Sequence, residues 1–501
     1  MKSFVRSPAA LLPLLTVAAA CAAPPNVLVI MTDQQTADAL SFRMGREHIH
    51  TPALDRLAAR GTYFSRAYAP NPLCVPSRNS LITGRYPHET GISDNSAAFD
   101  GTLLDHERFV TLGTHFRRAG YRTGYFGKWH LAYDRDRPET HGFMEFDRQQ
   151  KDAVTAQHAV EFLGRGGDRP FLLVASFLNP HNVAELSRGQ PLSNGPIGVP
   201  PPLEELPPVP VNLAAPYCEP DSMTQIRRAY HANKRLFPVD HYTPSMWREL
   251  RWGYYRLVEK VDAEIGRVLA ALDEHGLADN TLVVFLSDHG ECAGAHGLVQ
   301  KTVFYEESVR VPMIVHAPGQ KQARETAAFV NIGVDVLPTL LDYAGVTPPS
   351  DLPGRSLRPL IEGRPAADWP DEVIVSNHMS QGGITEDGYV PITRGRMVRT
   401  ERYKYCVYLH GEPRESLVDL QDDPGEMVDL AADPAYRGIL LAHRERLRRF
   451  AERHGDELVH ELLADDVAPR PFERITQPPR PTDPTHPPLP LPLPPAYSHV
   501  D

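Results

Sequence analysis

Three short apolar runs, each ending in polar or acidic residues, constrain this chain more than any other feature. They are Val27-Leu28-Val29-Ile30-Met31, Phe171-Leu172-Leu173-Val174-Ala175-Ser176-Phe177 and Leu282-Val283-Val284-Phe285-Leu286. Continuous runs of β-branched and aliphatic residues suit strands buried on both faces, as in a parallel sheet. The runs end at Thr32-Asp33-Gln34-Gln35, Asn179-Pro180-His181 and Ser287-Asp288-His289-Gly290. Helix-like stretches lie between them. Leu54 to Ala58 is one, and Ser245 to His275 is the clearest, with Leu257, Val261, Ile265, Leu269 and Leu272 at helical spacing. Strands alternating with helices predict an α/β fold whose large, mixed, mostly parallel sheet is sandwiched by helices. Such sheets bind ligands beyond the carboxyl ends of their strands. All three run ends carry metal-ligand or acid/base side chains, so they predict one shared site.

The 501 residues suffice for one large domain and a smaller one. Residues 1–23 read as an export signal: Lys2 and Arg6 start it, Ala9 to Ala20 is apolar except for Pro13 and Thr16, and small residues follow. Cys21, after three alanines, offers a second reading, the lipidated cysteine of a lipoprotein whose signal is residues 1–20. The apolar stretch is too short to span a bilayer. The expectation is an exported protein, periplasmic or secreted, with no transmembrane span. Residues 24–365 are assigned to the catalytic domain, within which 183–220 is a Pro- and Gly-rich surface excursion near the site. Residues 366–465 are expected to form a C-terminal α+β unit, with antiparallel strands at 396–400 and 403–408 and a basic amphipathic helix from Tyr436 to Glu452. The tail, 466–501, is too rich in proline to build a core. A net charge of -11 argues against a nucleic-acid partner but leaves room for an anionic substrate held by a few buried cations.

The sharpest local feature is Cys74-Val75-Pro76-Ser77-Arg78, preceded by Asn71-Pro72-Leu73 and followed by Leu81-Ile82-Thr83-Gly84-Arg85. It resembles the signature of the sulfatase family, formylglycine-dependent type I sulfatases of the alkaline-phosphatase-like superfamily. Further motifs extend the resemblance from about residue 25 to about residue 435. They are Asp33-Gln34, Gly120-Tyr121 through Gly127-Lys128-Trp129-His130, Asp288-His289-Gly290, His296-Gly297 with Lys301, and Leu417-Val418-Asp419-Leu420 with Asp423-Pro424-Gly425-Glu426.

The resemblance implies that a maturase oxidises Cys74 to formylglycine; one hydroxyl of its hydrate attacks sulfur to form a covalent sulfate ester, and deprotonation of the other expels sulfate and restores the aldehyde. It implies a divalent cation on Asp33, Gln34, Asp288 and His289 together with residue 74. Mostly oxygen ligands suit Ca²⁺; Gln34 and His289, where many relatives have Asp and Asn, leave Mg²⁺ or Mn²⁺ open. Arg78 then stabilises the diol and the metal site, His130 is the base for elimination, and Lys128 and Lys301 clamp sulfate oxygens. His181, with Lys301, protonates the leaving group. The substrate class is a sulfate ester, on a small molecule or a glycan. One alternative is a phosphonate monoester or phosphodiester hydrolase of the same superfamily; another is a non-catalytic binder of sulfated glycans.

The other features carry less chemistry. Of 5 cysteines, Cys21 and a modified Cys74 leave Cys218, Cys292 and Cys406, which allow one bridge but no disulfide framework. His48, His50, His88 and His115 have no motif around them and read as structural or exposed, and Cys292 reads as a small buried residue. Tyr217, Tyr230, Tyr242 and Trp247 fit either a sugar platform or ordinary packing.

Overall fold

The computed structural model describes residues 23–378, 383–391, 394–464 and 470–474. Cys21, nearly all of the export segment and most of the proline-rich tail lie outside the described residues. The first apolar run is strand β1, Asn26–Asp33. With it pair β2 (Thr62–Phe64), β3 (Arg122–Gly127), β4 (Glu145–Phe146), β5 (Phe171–Pro180), β6 (Thr281–Ser287), β7 (Met313–His316) and β8 (Arg324–Thr326). The sheet order is β8-β2-β7-β6-β1-β5-β3-β4. Neighbours run parallel except at β7, which is antiparallel to both β2 and β6. The sheet is therefore mixed and mostly parallel, as the runs predict.

Both faces are covered, which is why the runs are continuous rather than alternating. Val27, Val29 and Met31 pack on one face with Leu81 and Ile82 of helix Cys74–Thr83 and with Ile332, Val336 and Leu340 of helix Ile332–Tyr343. Leu28 and Ile30 pack on the other, against Leu54 and Leu57, Phe162, and Val261 and Ile265. The last two belong to the long helix Pro244–Glu274, whose start is capped by the Thr243 side chain accepting from the Met246 amide. Within 183–220 the only helices are the short Val183–Ser187 and the 3₁₀ turn Leu203–Glu205.

A second, antiparallel sheet is built from β9 (Glu372–Asn377), β10 (Gly395–Thr400), β11 (Tyr403–Tyr408) and β12 (Glu415–Asp419), in that order. Helix Arg437–His454 covers it, burying Leu440, Leu447 and Phe450 against Ile374, Val398 and Tyr405. Strands β10 and β11 and the helix are those expected; β9 and β12 complete the sheet on either side. Among the described residues no helix is long and apolar enough to cross a membrane.

Register sets up the site. Asp33 at the end of β1 pairs with Pro180 at the end of β5, and Thr32 pairs with Ser287 at the end of β6. Three carboxyl ends therefore lie side by side, and the helix that opens at Cys74 brings its first turn to the same edge.

Candidate active site

Asp33, Gln34, Arg78, Lys128, Asp288, His289 and Lys301 gather around the Cys74 sulfur or one contact away from it, and His130 and His181 feel the charges of that cluster. Cys74 begins a ten-residue helix and is only 1% exposed. His289 Nε2 lies 3.2 Å from Sγ, Lys301 Nζ 3.4 Å, Lys128 Nζ 3.6 Å and Asp33 Oδ1 3.9 Å. Lys301 Nζ also donates to Gln34 Oε1 at 2.5 Å. Lys128 Nζ pairs with Asp33 Oδ2 at 2.6 Å.

Arg78, one turn further along the helix, binds the acidic side of the cluster together. Its Nε donates to Asp288 Oδ2 and its Nη2 to Asp33 Oδ2, both at 2.7 Å. Its Nη1 donates to Ser176 Oγ at 2.8 Å and to the Lys128 carbonyl at 3.2 Å. The planar fork of a guanidinium can satisfy two carboxylates and two further acceptors at once; an ammonium cannot.

The cluster meets the requirements of a divalent cation. Asp33, Cys74, Asp288 and His289 each present a ligand atom, and these atoms all lie within 4.8 Å of one another. His289 Nδ1 lies 3.0 Å from the Gly290 carbonyl and can donate to it, so Nε2, 3.2 Å from the sulfur, is the ring nitrogen that a cation would take from the neutral imidazole. Two carboxylates, an amide oxygen and an imidazole form a donor set that a hard or borderline cation accepts.

The field at the sulfur is positive. Burial and Asp33 push the Cys74 thiol up, yet Lys128, Lys301 and His289 overcome both and hold it well below its ordinary value. Burial likewise opposes ionisation of Asp33, but Lys128 and Arg78 hold it well below the usual carboxylate range. Asp288 goes the other way, to about 6, because burial and the Asp33 charge outweigh His289 and Arg78. Burial and the Lys128 charge lower His130, so it is neutral, although Cys74 beside it pulls the other way. Burial, then Lys128 and Lys301, hold His181 well below its ordinary value. His130 and His181 keep partial exposure while Cys74, Asp33, Gln34, Asp288 and His289 are buried. Solvent thus reaches the cluster from the histidine side.

Other features of the sequence resolve into structure. Cys292 is buried and its thiol is pushed well above its ordinary value, chiefly by burial and then by Glu291, so it is no second nucleophile. Cys74, Cys218, Cys292 and Cys406 are all free thiols. Tyr230 is buried, stacks on Phe237 with centroids 4.1 Å apart and donates to the Lys301 carbonyl at 2.9 Å. Tyr242 and Trp247 pack edge to face. Of the four aromatic candidates for a platform, Tyr217 alone is exposed, at 79%. Motif reasoning missed two groups: Ser176, a hydroxyl inside an apolar strand run, and Glu291, directly after Asp288-His289-Gly290. A polar residue without a motif role in such surroundings was the available signal.

An open sheet carrying a buried acid, cation and thiol cluster at its carboxyl edge is the framework of a hydrolase acting on an anionic ester. The chain belongs to the sulfatase family: the Sulfatase family model matches residues 25–346. A second model, N-sulphoglucosamine sulphohydrolase, C-terminal, matches residues 294–453. The protein is thus a sulfuric ester hydrolase of alkaline-phosphatase-like fold. It is 32% identical over 466 residues to the Delta 4,5-hexuronate-2-O-sulfatase of Bacteroides thetaiotaomicron, covering 89% of this chain and 92% of that one. A solved 2-O GAG sulfatase superposes with a TM-score of 0.73 at 30% identity, over 87% of this chain and 93% of that one. The phosphonate monoester hydrolase of Silicibacter pomeroyi superposes with a TM-score of 0.71 at 25% identity, over 86% and 96%.

Proposed function

We propose that this protein removes sulfate from a carbohydrate, using formylglycine at position 74 and a divalent cation, with Ca²⁺ preferred to Mg²⁺ or Mn²⁺. The observation that carries the reading is the convergence of Asp33, Asp288, His289, Lys128 and Lys301 on the one sulfur of Cys74, with Gln34 bonded to Lys301. Likeness to an enzyme named for a hexuronate 2-O-sulfate supports a sugar substrate. We further propose export through residues 1–23, with Cys21 as a lipid anchor if cleavage precedes it, and a boundary between catalytic and C-terminal units near residue 365.

Asp33, Gln34, Asp288 and His289 would hold the cation, which supplies Lewis acidity, while the hydrated aldehyde supplies an oxygen nucleophile. The chain's own groups do the rest. Lys128 and Lys301 flank position 74 and neutralise the sulfate oxygens as charge builds. His130, neutral and in contact with residue 74, takes a proton from it. His181 delivers a proton to the leaving oxygen; a bound sulfate between the two lysines supplies the countercharge that lets its imidazole hold that proton. Arg78 keeps the two carboxylates paired and oriented throughout.

The test is the mass of the tryptic peptide containing residue 74 from protein made with a maturase, followed by sulfated sugars as substrates. A thiol that persists under those conditions defeats the proposed chemistry. Likeness to the Silicibacter enzyme favours one second reading, a phosphonate monoester hydrolase. Sulfate and phosphonate esters of the same aromatic alcohol separate the two, and faster cleavage of the phosphonate would reverse the assignment.

A further inference from the structure

We infer that Glu291 is a positioning residue that sets the orientation of the Gln34 amide, and so decides which end of that side chain a cation meets. The inference rests on the metal site proposed above. Glu291 is fully buried. One of its oxygens, Oε2, accepts a short hydrogen bond from Gln34 Nε2. The other, Oε1, accepts from the backbone amides of Ala293 at 2.9 Å and Gln300 at 2.6 Å, which fixes the carboxylate itself.

A glutamine side chain has a donor end and an acceptor end, and only the acceptor end can ligate a cation. Both Glu291 oxygens stand as acceptors, Oε1 to two backbone amides and Oε2 to the Gln34 NH₂ group, so Glu291 faces the donor end of the amide. That leaves Oε1 of Gln34 turned the opposite way, where Lys301 Nζ meets it at 2.5 Å beside the Cys74 sulfur. The Gln34 backbone is already held, at a φ of 71°, by its amide donating to Asp288 Oδ1 and its carbonyl accepting from Tyr254. The remaining freedom is rotation of the side chain, and Glu291 at the NH₂ end, with Lys301 at the oxygen end, removes it. The same carboxylate also tethers Gln300, the residue before Lys301.

The role predicts a coupling between positions 34 and 291 that a general structural role does not. Ca²⁺ affinity is measured by chelator competition on the matured full-length protein, for wild type, Glu291→Gln, Gln34→Asp and the double variant. Glu291→Gln can turn an NH₂ group toward Gln34 and lets its amide flip, so affinity should fall about 10–100-fold, the usual effect of losing an outer partner of a ligand. Aspartate at 34 has two equivalent oxygens and nothing to flip. In that background Glu291→Gln should cost less than threefold, because no amide remains whose orientation it sets. Equal losses in both backgrounds, or none in the Gln34 background, would overturn the positioning role. Wild-type protein that binds neither Ca²⁺, Mg²⁺ nor Mn²⁺ would instead overturn the metal site, and the positioning role with it. Far-ultraviolet circular dichroism of each variant shows that all four compared proteins are folded.

Discussion

Replacing Arg78 by lysine is the most direct test of how the two buried carboxylates coexist. Asp33 and Asp288 are both fully buried, and Arg78 reaches each at 2.7 Å. Lysine keeps the positive charge but offers one nitrogen, which cannot span both oxygens and also satisfy Ser176 and the Lys128 carbonyl. Losing one charge-assisted bond costs about 1.5–3 kcal/mol. Leaving a buried carboxylate without its partner moves the cost toward about 3–5 kcal/mol. Lys128 still holds Asp33, so the group stranded is Asp288, and a penalty of about 3 kcal/mol is expected for Arg78→Lys. Guanidinium chloride unfolding of metal-stripped protein measures it. A cation lying between the carboxylates gives Asp288 a new partner, so saturating Ca²⁺ should shrink the penalty. A metal-stripped variant within about 0.5 kcal/mol of wild type, the range of an ordinary surface change, would refute the reasoning. So would a penalty that Ca²⁺ leaves untouched.

Burial of Cys74 at 1% exposure means that folded protein carrying the thiol should resist conversion by a maturase in vitro, while co-expression yields the modified peptide; mass spectrometry distinguishes them. His181→Ala should slow a sugar sulfate by about 10²–10⁴-fold and an aryl sulfate with a good leaving group far less, whereas His130→Ala should slow both alike; parallel kcat measurements on the two substrates read the difference. His378 accepts from Arg396 at 3.1 Å, and burial together with that cation lowers it to about 3, whereas the unfolded chain takes up the proton near 6.5. Its contribution to stability is therefore fully present above about pH 6.5 and is lost as pH falls toward about 3, at up to about 1.4 kcal/mol per pH unit. His378→Gln, which keeps an acceptor, should flatten the fall in stability between pH 6 and pH 5 relative to wild type; identical slopes in denaturant unfolding would exclude this source.

What the sequence made legible is what depends on period and local order. The three continuous runs define the central parallel strands because burial on both faces leaves no polar alternation, and they lead into Asp33, His181 and Asp288. The outer strands β9 and β12 were not legible, since a short strand of a small antiparallel sheet owes its state to its neighbours. Within the site, residue identity could be read but orientation could not. Gln34 and Glu291 are 257 residues apart in the chain, so nothing near either reveals which way the amide turns.

The electrostatics follow the same division. A chain of net charge -11 gives no hint of a binding site for anions, yet Lys128 and Lys301 lie within 3.6 Å of one buried sulfur and His289 within 3.2 Å. Those groups lower the thiol against both burial and a neighbouring carboxylate. A field strong enough to favour a thiolate there also favours any other negative charge brought to that point, including the oxygens of a sulfate ester. On the reading proposed above, the local placement of Lys128 and Lys301 beside position 74, rather than the net charge of the chain, is what would meet the charge of the substrate.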